Sequence, residues 1–328
     1  MKSNLKFTIF GLKSFSIFLI FGSVMSFVLA ADFPSKPIRL VIPFPPGGGA
    51  DAVARVVALK LSENLGQVII VDNKAGAGGS IATDFVSKSE ADGYTLLFTT
   101  SGHSIQPQLQ KVNWDPIKDF SPISLVVTTP LVVAVNPNLP VNSIPELIKL
   151  LKEQPGKYSY GSSGLGGPLN LAVEYFKNLA NVDIVHVPYS GNGPMTLALL
   201  RGDIQLVFDS LNGPLPNIKI GKMRAIGVTS LKRNLILPET PSLDESGVKG
   251  YEFLLWDGIL GPAGIPKEIT QKLNTQLIRA VQTSSVKESL NNLGYTATGN
   301  SINEFSELIK SDYEKYGQII KQLKISVN

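Results

Sequence analysis

Residues 39–55, RLVIPFPPGGGADAVAR, constrain this chain more than any other stretch. An apolar run, Leu40–Ile42, enters a Pro/Gly knot from Pro43 to Gly49. Asp51 then opens an amphipathic pattern through Ala52, Val53, Val56, Val57 and Leu61. A strand that turns through glycines into a helix is the building unit of an open α/β sheet. Such a loop also presents backbone N–H groups at the positive end of a helix dipole, where an anion is stabilised.

The unit recurs. Strand Ile38–Ile42 leads to helix Ala50–Leu65, ended by Gly66. Strand Val68–Val71 leads through 73-NKAGAGGS-80 to helix Ile81–Lys88, and strand Tyr94–Thr99 follows. This order predicts a parallel sheet with helices on both faces. Ile123–Val135 is long and β-branched, with Thr128, Thr129 and Pro130 near its middle, and suits a strand crossing between two domains. Asn142-Ser143 caps helix Ile144–Glu153, with Glu146 at capping-box spacing. Strand Tyr158–Gly161, loop 161-GSSGLGGP-168 and helix Leu169–Leu179 repeat the unit. So do strand Val182–Val187, loop 188-PYSGNGP-194 and helix Met195–Arg201, before strands Ile204–Phe208 and Ala225–Val228. Tyr251–Leu260 is the return crossing, and helices Lys267–Thr283 and Ile302–Leu323, the latter capped by Ser301, pack back on the first domain. The expected division is 31–130 and 253–328 for one lobe and 131–252 for the other.

The N-terminus carries Lys2, Lys6 and Lys13, an apolar run from Phe15 to Phe27, and Val28-Leu29-Ala30 at a cleavage position. This pattern is a secretory signal, removed after Ala30, and places the mature protein in the periplasm. No Cys follows, which excludes a lipoprotein anchor. Cleavage removes three lysines and no acid, so the formal charge falls from +4 to +1. With it goes the support for nucleic-acid binding, since no Lys/Arg cluster with interleaved aromatics occurs elsewhere. The chain has no Cys and two isolated histidines, His103 and His186, so a metal site is not expected. Nothing suggests more than a monomer.

The glycine loops fail the cofactor motifs. No Gly-Lys-Ser/Thr follows Pro43–Asp51, and neither GGGADA nor 76-GAGGSI-81 has GxGxxG spacing. Ser163 lacks a nucleophile elbow, because Leu165 stands where G-x-S-x-G needs glycine. His186 falls inside a strand. Four strand–loop–helix junctions at the carboxyl ends of strands instead suit a ligand site. Ser162 and Ser163 are candidate hydroxyl donors, as are Thr99, Thr100 and Ser101, with Gly102 beside them. Tyr189 either walls a pocket or packs in a core. Asp209 either accepts from a ligand amine or hydroxyl, or caps Ser210 and its turn. Asp51 caps its helix. Only Lys74 puts a cation in any of these loops, so the pocket would hold an anion with neutral donors and waters.

The segments PSKPIRLVIPFPPGGGADAVAR, VDNKAGAGGSIA, ADGYTLLFTTSG, YGSSGLGGPLNLAVEYF, DIVHVPYSGNGP, RGDIQLVFDS and WDGILGPAGIP, in this order, resemble the Bug-type (TctC-like) periplasmic substrate-binding proteins of tripartite tricarboxylate transporters. The resemblance implies an α/β, two-lobed type II periplasmic-binding-protein fold that closes on a small carboxylate. It implies first-lobe contacts from Phe44, Pro45, Pro46, Gly47 and Gly48, from Ala77, Gly78, Gly79 and Ser80, and from Thr100, Ser101 and Gly102. Second-lobe contacts would come from Ser162, Ser163, Tyr189, Gly191 and Asp209. The implied partners are a small organic acid and the permease subunits in the membrane, with no cofactor and no catalysis. The chain departs from the family pattern at Ser190, where the fourth loop commonly has Lys, and at Asn170, where His is frequent. The alternatives are a receptor presenting ligand to a membrane sensor and an exported α/β hydrolase, which would need a nucleophile, base and orienting acid.

Overall fold

The computed structural model describes residues 33–322, and the signal segment expected over residues 1–30 lies outside them. Strand β1 (Ile38–Ile42) feeds helix α1 (Gly49–Leu65). That helix stops at Gly66, whose φ of 66° is the left-handed conformation that costs a glycine least. Then come β2 (Ile69–Asn73), a 3-10 turn (Ala77–Gly79), α2 (Ser80–Ser87), β3 (Thr95–Thr100) and α3 (Gly102–Leu109). Helix α3 has no counterpart in the sequence reading. It is short and contains Pro107, so packing rather than propensity makes it helical.

The crossing strand β4 (Phe120–Val135) is followed by α4 (Ile144–Glu153), β5 (Ser159–Ser162), α5 (Pro168–Ala180), β6 (Val185–Pro188) and α6 (Asn192–Arg201). The chain continues through β7 (Leu206–Ser210), α7 (Leu215–Lys219), β8 (Arg224–Val228), β9 (Leu254–Pro262) and α8 (Lys267–Gln282). It ends with α9 (Ser284–Asn292), β10 (Thr296–Ala297) and α10 (Ile302–Gln322). Two helices have the serine caps expected of them. Ser143 Oγ accepts from Glu146 N at 3.3 Å, and Ser301 Oγ accepts from Glu304 N at 3.2 Å.

Two sheets share one strand. The first runs β2-β1-β3-β9-β4, with β10 also on β4. The second contains β4, β7, β5 and β6, with β8 also on β4. Strand β4 pairs with β9 over Phe120–Pro130 and with β7 over Leu131–Val135, so it crosses from one sheet to the other near Pro130. The sheets are not wholly parallel as expected. Strands β1, β2 and β3 are parallel, as are β5, β6 and β7, but β4 and β9 run antiparallel to their neighbours. The reason is topological: these strands carry the chain between the lobes and enter each sheet against the direction of the βα units.

Each lobe has its own core. On one face of the first sheet, Val53, Ala54 and Val57 of α1 meet Leu273, Leu277 and Val281 of α8. The other face holds Ala82 and Val86 of α2 with Trp256, Phe305 and Ile309. The second lobe is built on Phe176, Leu199, Leu206, Phe208 and Tyr251. Each fully buried side chain of this kind contributes about 1.5–3 kcal/mol. Helix α8 packs on the first lobe, as expected. Helix α10 reaches both: Phe305 and Ile309 lie in the first lobe's core, Tyr316, Ile319 and Ile320 in the second's. At 1.5 Å per residue this 21-residue helix spans about 30 Å, enough to bridge them.

Candidate functional site

A cavity of about 590 Å³ lies where the two lobes meet. The β1–α1 loop supplies Phe44, Pro45, Pro46, Gly48, Gly49 and Ala50. Thr100 and Ser101 come from the end of β3, Thr129 from β4, and Leu255 and Asp257 from β9. The second lobe adds Pro168, Gly191, Asn192 and Ser210, and Tyr295 closes the ring from the turn before β10.

Three of these segments are helix N-termini. Helix α1 starts after Gly48, α5 after Gly167 and α6 after Gly191, and none of the three has a side-chain cap on its first amides. Helices α4 and α10, which do not line the cavity, carry serine caps instead. The first amides of a helix have no intrahelical acceptor, and three dipoles raise the positive potential between them. Gly191 has φ 111°, a conformation that an L side chain would strain. The lining contains no Lys, Arg or His among the described residues.

The β1–α1 loop is held from behind. Asp51 Oδ2 accepts from Gly47 N at 3.0 Å and from Arg55 Nε at 2.9 Å. Asn73 Nδ2 donates to Asp51 Oδ1 at 2.8 Å and to the Phe44 carbonyl at 3.0 Å. The Arg55 hydrogen bond, with those from Gly47 and Asn73, overcomes burial and lowers the Asp51 pKa to about 2. Asp51 is thus a fixed carboxylate that shapes the loop and does not line the cavity.

The model for the tripartite tricarboxylate transporter family receptor matches residues 53–325. The chain belongs to this receptor family. The structure of the periplasmic binding protein BugD is 32% identical, with a TM-score of 0.75, covering 90% of this chain and 99% of that one. A Rhodopseudomonas palustris protein solved with adipate is 34% identical, with a TM-score of 0.79 and coverage of 90% and 99%. MatC from the same species, with bound malate, is 28% identical, with a TM-score of 0.74 and coverage of 88% and 100%. The two-lobed α/β fold is that of periplasmic solute-binding proteins.

In this receptor the sequence-derived site residues divide into two groups. Phe44, Pro45, Pro46, Gly48, Thr100, Ser101 and Gly191 come together around the cavity. Gly47, Ala77, Gly78, Gly79, Ser80, Gly102, Ser162, Ser163, Tyr189 and Asp209 are not in its lining. The second Gly loop is occupied elsewhere: the Ala77 carbonyl accepts from Gln106 Nε2 at 2.8 Å, and Ser80 Oγ accepts from Trp114 Nε1 at 3.2 Å. Ser162 is fully buried, with its Oγ 2.7 Å from both the Gly164 carbonyl and His186 Nε2. Tyr189 packs against the second lobe's core. Asp209 Oδ1 accepts from Ser210 N at 2.8 Å and Asn192 Nδ2 at 2.7 Å, so the acid stands behind two lining residues. Of the two departures from the family pattern, Asn170 is structural: its Oδ1 accepts from Gly166 N at 3.0 Å and its Nδ2 donates to the Tyr160 hydroxyl. Ser190 is exposed and outside the lining.

The Ser162 hydroxyl is inaccessible, and among the described residues no carboxylate hydrogen-bonds to His186. Burial lowers the pKa of His186, whose ring stacks on Tyr160 at 4.8 Å.

Sequence reasoning missed Gly49, Ala50, Thr129, Pro168, Asn192, Ser210, Leu255, Asp257 and Tyr295. A signal existed for Asp257, the one acid inside the apolar strand LLWDGILGP. Tyr295 had none. It arrives because β10 pairs with β4 at Thr296 and Thr128, while Thr129 Oγ1 donates to the Gly294 carbonyl at 3.1 Å.

Proposed function

We propose that this receptor captures a small carboxylate in the periplasm, between its lobes, and delivers it to the membrane permease of a tripartite tricarboxylate transporter. One observation carries the reading: three helix N-termini without side-chain caps converge on a cavity lined, among the described residues, by no cationic side chain. Such a site binds a carboxylate through amide dipoles and waters, and releases it without separating a strong ion pair. The adipate- and malate-bound relatives support the ligand class.

Because α1 belongs to one lobe and α5 and α6 to the other, a ligand touching all three favours the closed arrangement, and binding shifts the population toward it. Micromolar affinity corresponds to roughly −8 kcal/mol. Several buried hydrogen bonds at about 1 kcal/mol each, with apolar contact from Phe44 and Leu255, supply a free energy of that order. The protein acts by binding and release, without turnover, as an exported monomer freed of residues 1–30.

Thermal unfolding of the mature protein with small carboxylates and their amides tests this. A ligand at 100 times its Kd stabilises by about 2.7 kcal/mol. Stabilisation by a carboxylate and not by its amide is expected, with the acid recovered unchanged. Stabilisation by amides alone, or by no carboxylate, overturns the reading.

A further inference from the structure

The cavity contains an acid that a site for a plain anion does not need. Asp257 sits on β9, in register with Thr100 of β3 and Val127 of β4. Its neighbours point to the opposite face of the sheet. Trp256 Nε1 donates to Asp312 Oδ2 at 2.7 Å, and a Cβ on Gly258 would meet the Phe305 ring. Strand alternation therefore sends Asp257 into the cavity, whose wall it forms.

The residue is 6% exposed, and its Oδ2 is buried with no hydrogen-bond partner. Asp209 and two other described residues also leave a buried side-chain atom unpaired, but Asp257 is the one of them that lines the cavity. The Tyr295 phenol lies in the same wall. Its pKa is raised by burial and then by the charges of Asp257 and Asp209. Burial alone pushes Asp257 up to about 7. A ligand carboxylate next to Asp257 would add a second negative charge in the same low-dielectric place, so the ligand's anionic end belongs at the helix N-termini. In its ionised form, Asp257 Oδ2 has no donor among the described residues.

We infer that Asp257 accepts a hydrogen bond from the ligand, and that the ligand is therefore a carboxylic acid bearing a hydroxyl or ammonium group. This inference rests on the carboxylate-receptor reading above. Asp257 is then a specificity-determining residue: it disfavours acids that bring no donor to it, and holds those that present a hydroxyl or ammonium there. A buried acceptor left unpaired by the wrong ligand discriminates more sharply than a missing apolar contact.

Calorimetric titration of the mature wild-type protein and of Asp257→Ala tests it, with acids matched in carbon skeleton. One set is succinate, malate and aspartate; another is glutarate, 2-hydroxyglutarate and glutamate; a third is propionate, lactate and alanine. In at least one set a donor-bearing acid binds the wild type about tenfold tighter than the plain acid, and Asp257→Ala reduces that preference to within about threefold. The preferred member distinguishes hydroxyl from ammonium. Thermal unfolding checks that the variant is folded, and Asp257→Val gives the same readout if the alanine variant is not. Plain acids binding equally well, or a preference that survives the substitution, overturns the inference and leaves the receptor reading intact. Binding of no acid to the wild type overturns both.

Discussion

Gly49 and Tyr295 stand so close that a Cβ on Gly49 would lie 2.6 Å from the Tyr295 phenol oxygen. The first turn of α1 thus abuts a residue that arrives from the far end of the sequence. Gly49→Ala forces either the ring or the helix to move, at a cost of about 1–3 kcal/mol for overpacking, and narrows the cavity where both residues line it. Gly48→Ala meets nothing closer than the Pro45 carbonyl at 3.9 Å, and its φ of −78° suits any residue. Urea unfolding is expected to separate the two, with only Gly49→Ala destabilised, and carboxylate affinity is expected to fall in Gly49→Ala.

Acid should loosen the β1–α1 loop. Asp51 has a folded-state pKa lowered to about 2 from an ordinary 3.8, chiefly by Arg55. The folded form therefore favours the carboxylate. Its contribution is present above pH 3.8 and is lost as pH falls through 2. Asp51→Ala leaves Gly47 N, Arg55 and Asn73 without their acceptor and is expected to cost about 2 kcal/mol at neutral pH. Chemical denaturation of both proteins from pH 7 down to pH 2 checks this: the gap should close at the acid end. A gap independent of pH would assign the effect to lost packing instead.

Ser162 is expected to report on stability rather than on binding chemistry. Its hydroxyl joins His186 to the Gly164 carbonyl inside the second lobe. Ser162→Ala leaves both groups short of a partner and is expected to lower unfolding free energy by about 1–3 kcal/mol. Far-UV circular dichroism during urea unfolding measures this. A Ser162→Ala protein as stable as wild type, yet unable to bind carboxylates, would return Ser162 to the site.

What was legible in the sequence is what local physics fixes. The GGG knot, the Gly66 stop and the Ser143 and Ser301 caps are short-range signals, and the corresponding elements form where expected. The length and β-branching of residues 123–135 marked the crossing strand β4. Long-range pairing left no such trace. Nothing near residues 77–80 indicates that Gln106 and Trp114 hold that loop against the first lobe. Nothing near residue 295 indicates that a two-residue strand brings a tyrosine to the cavity. Asp257 was visible as a charge in an apolar strand, but its meaning depends on which face β9 turns inward, and the Gly258–Phe305 contact decides that.

The reach of α10 into both cores bears on how the protein is made. Multidomain chains commonly fold domain by domain as they leave the ribosome. Here Phe305 and Ile309 complete the first core, and Tyr316, Ile319 and Ile320 complete the second. Strand β9 also inserts between β3 and β4 only after some 250 residues have been synthesised. Neither lobe can finish its core until the last helix has been translated, so the nascent chain stays short of its native packing until then.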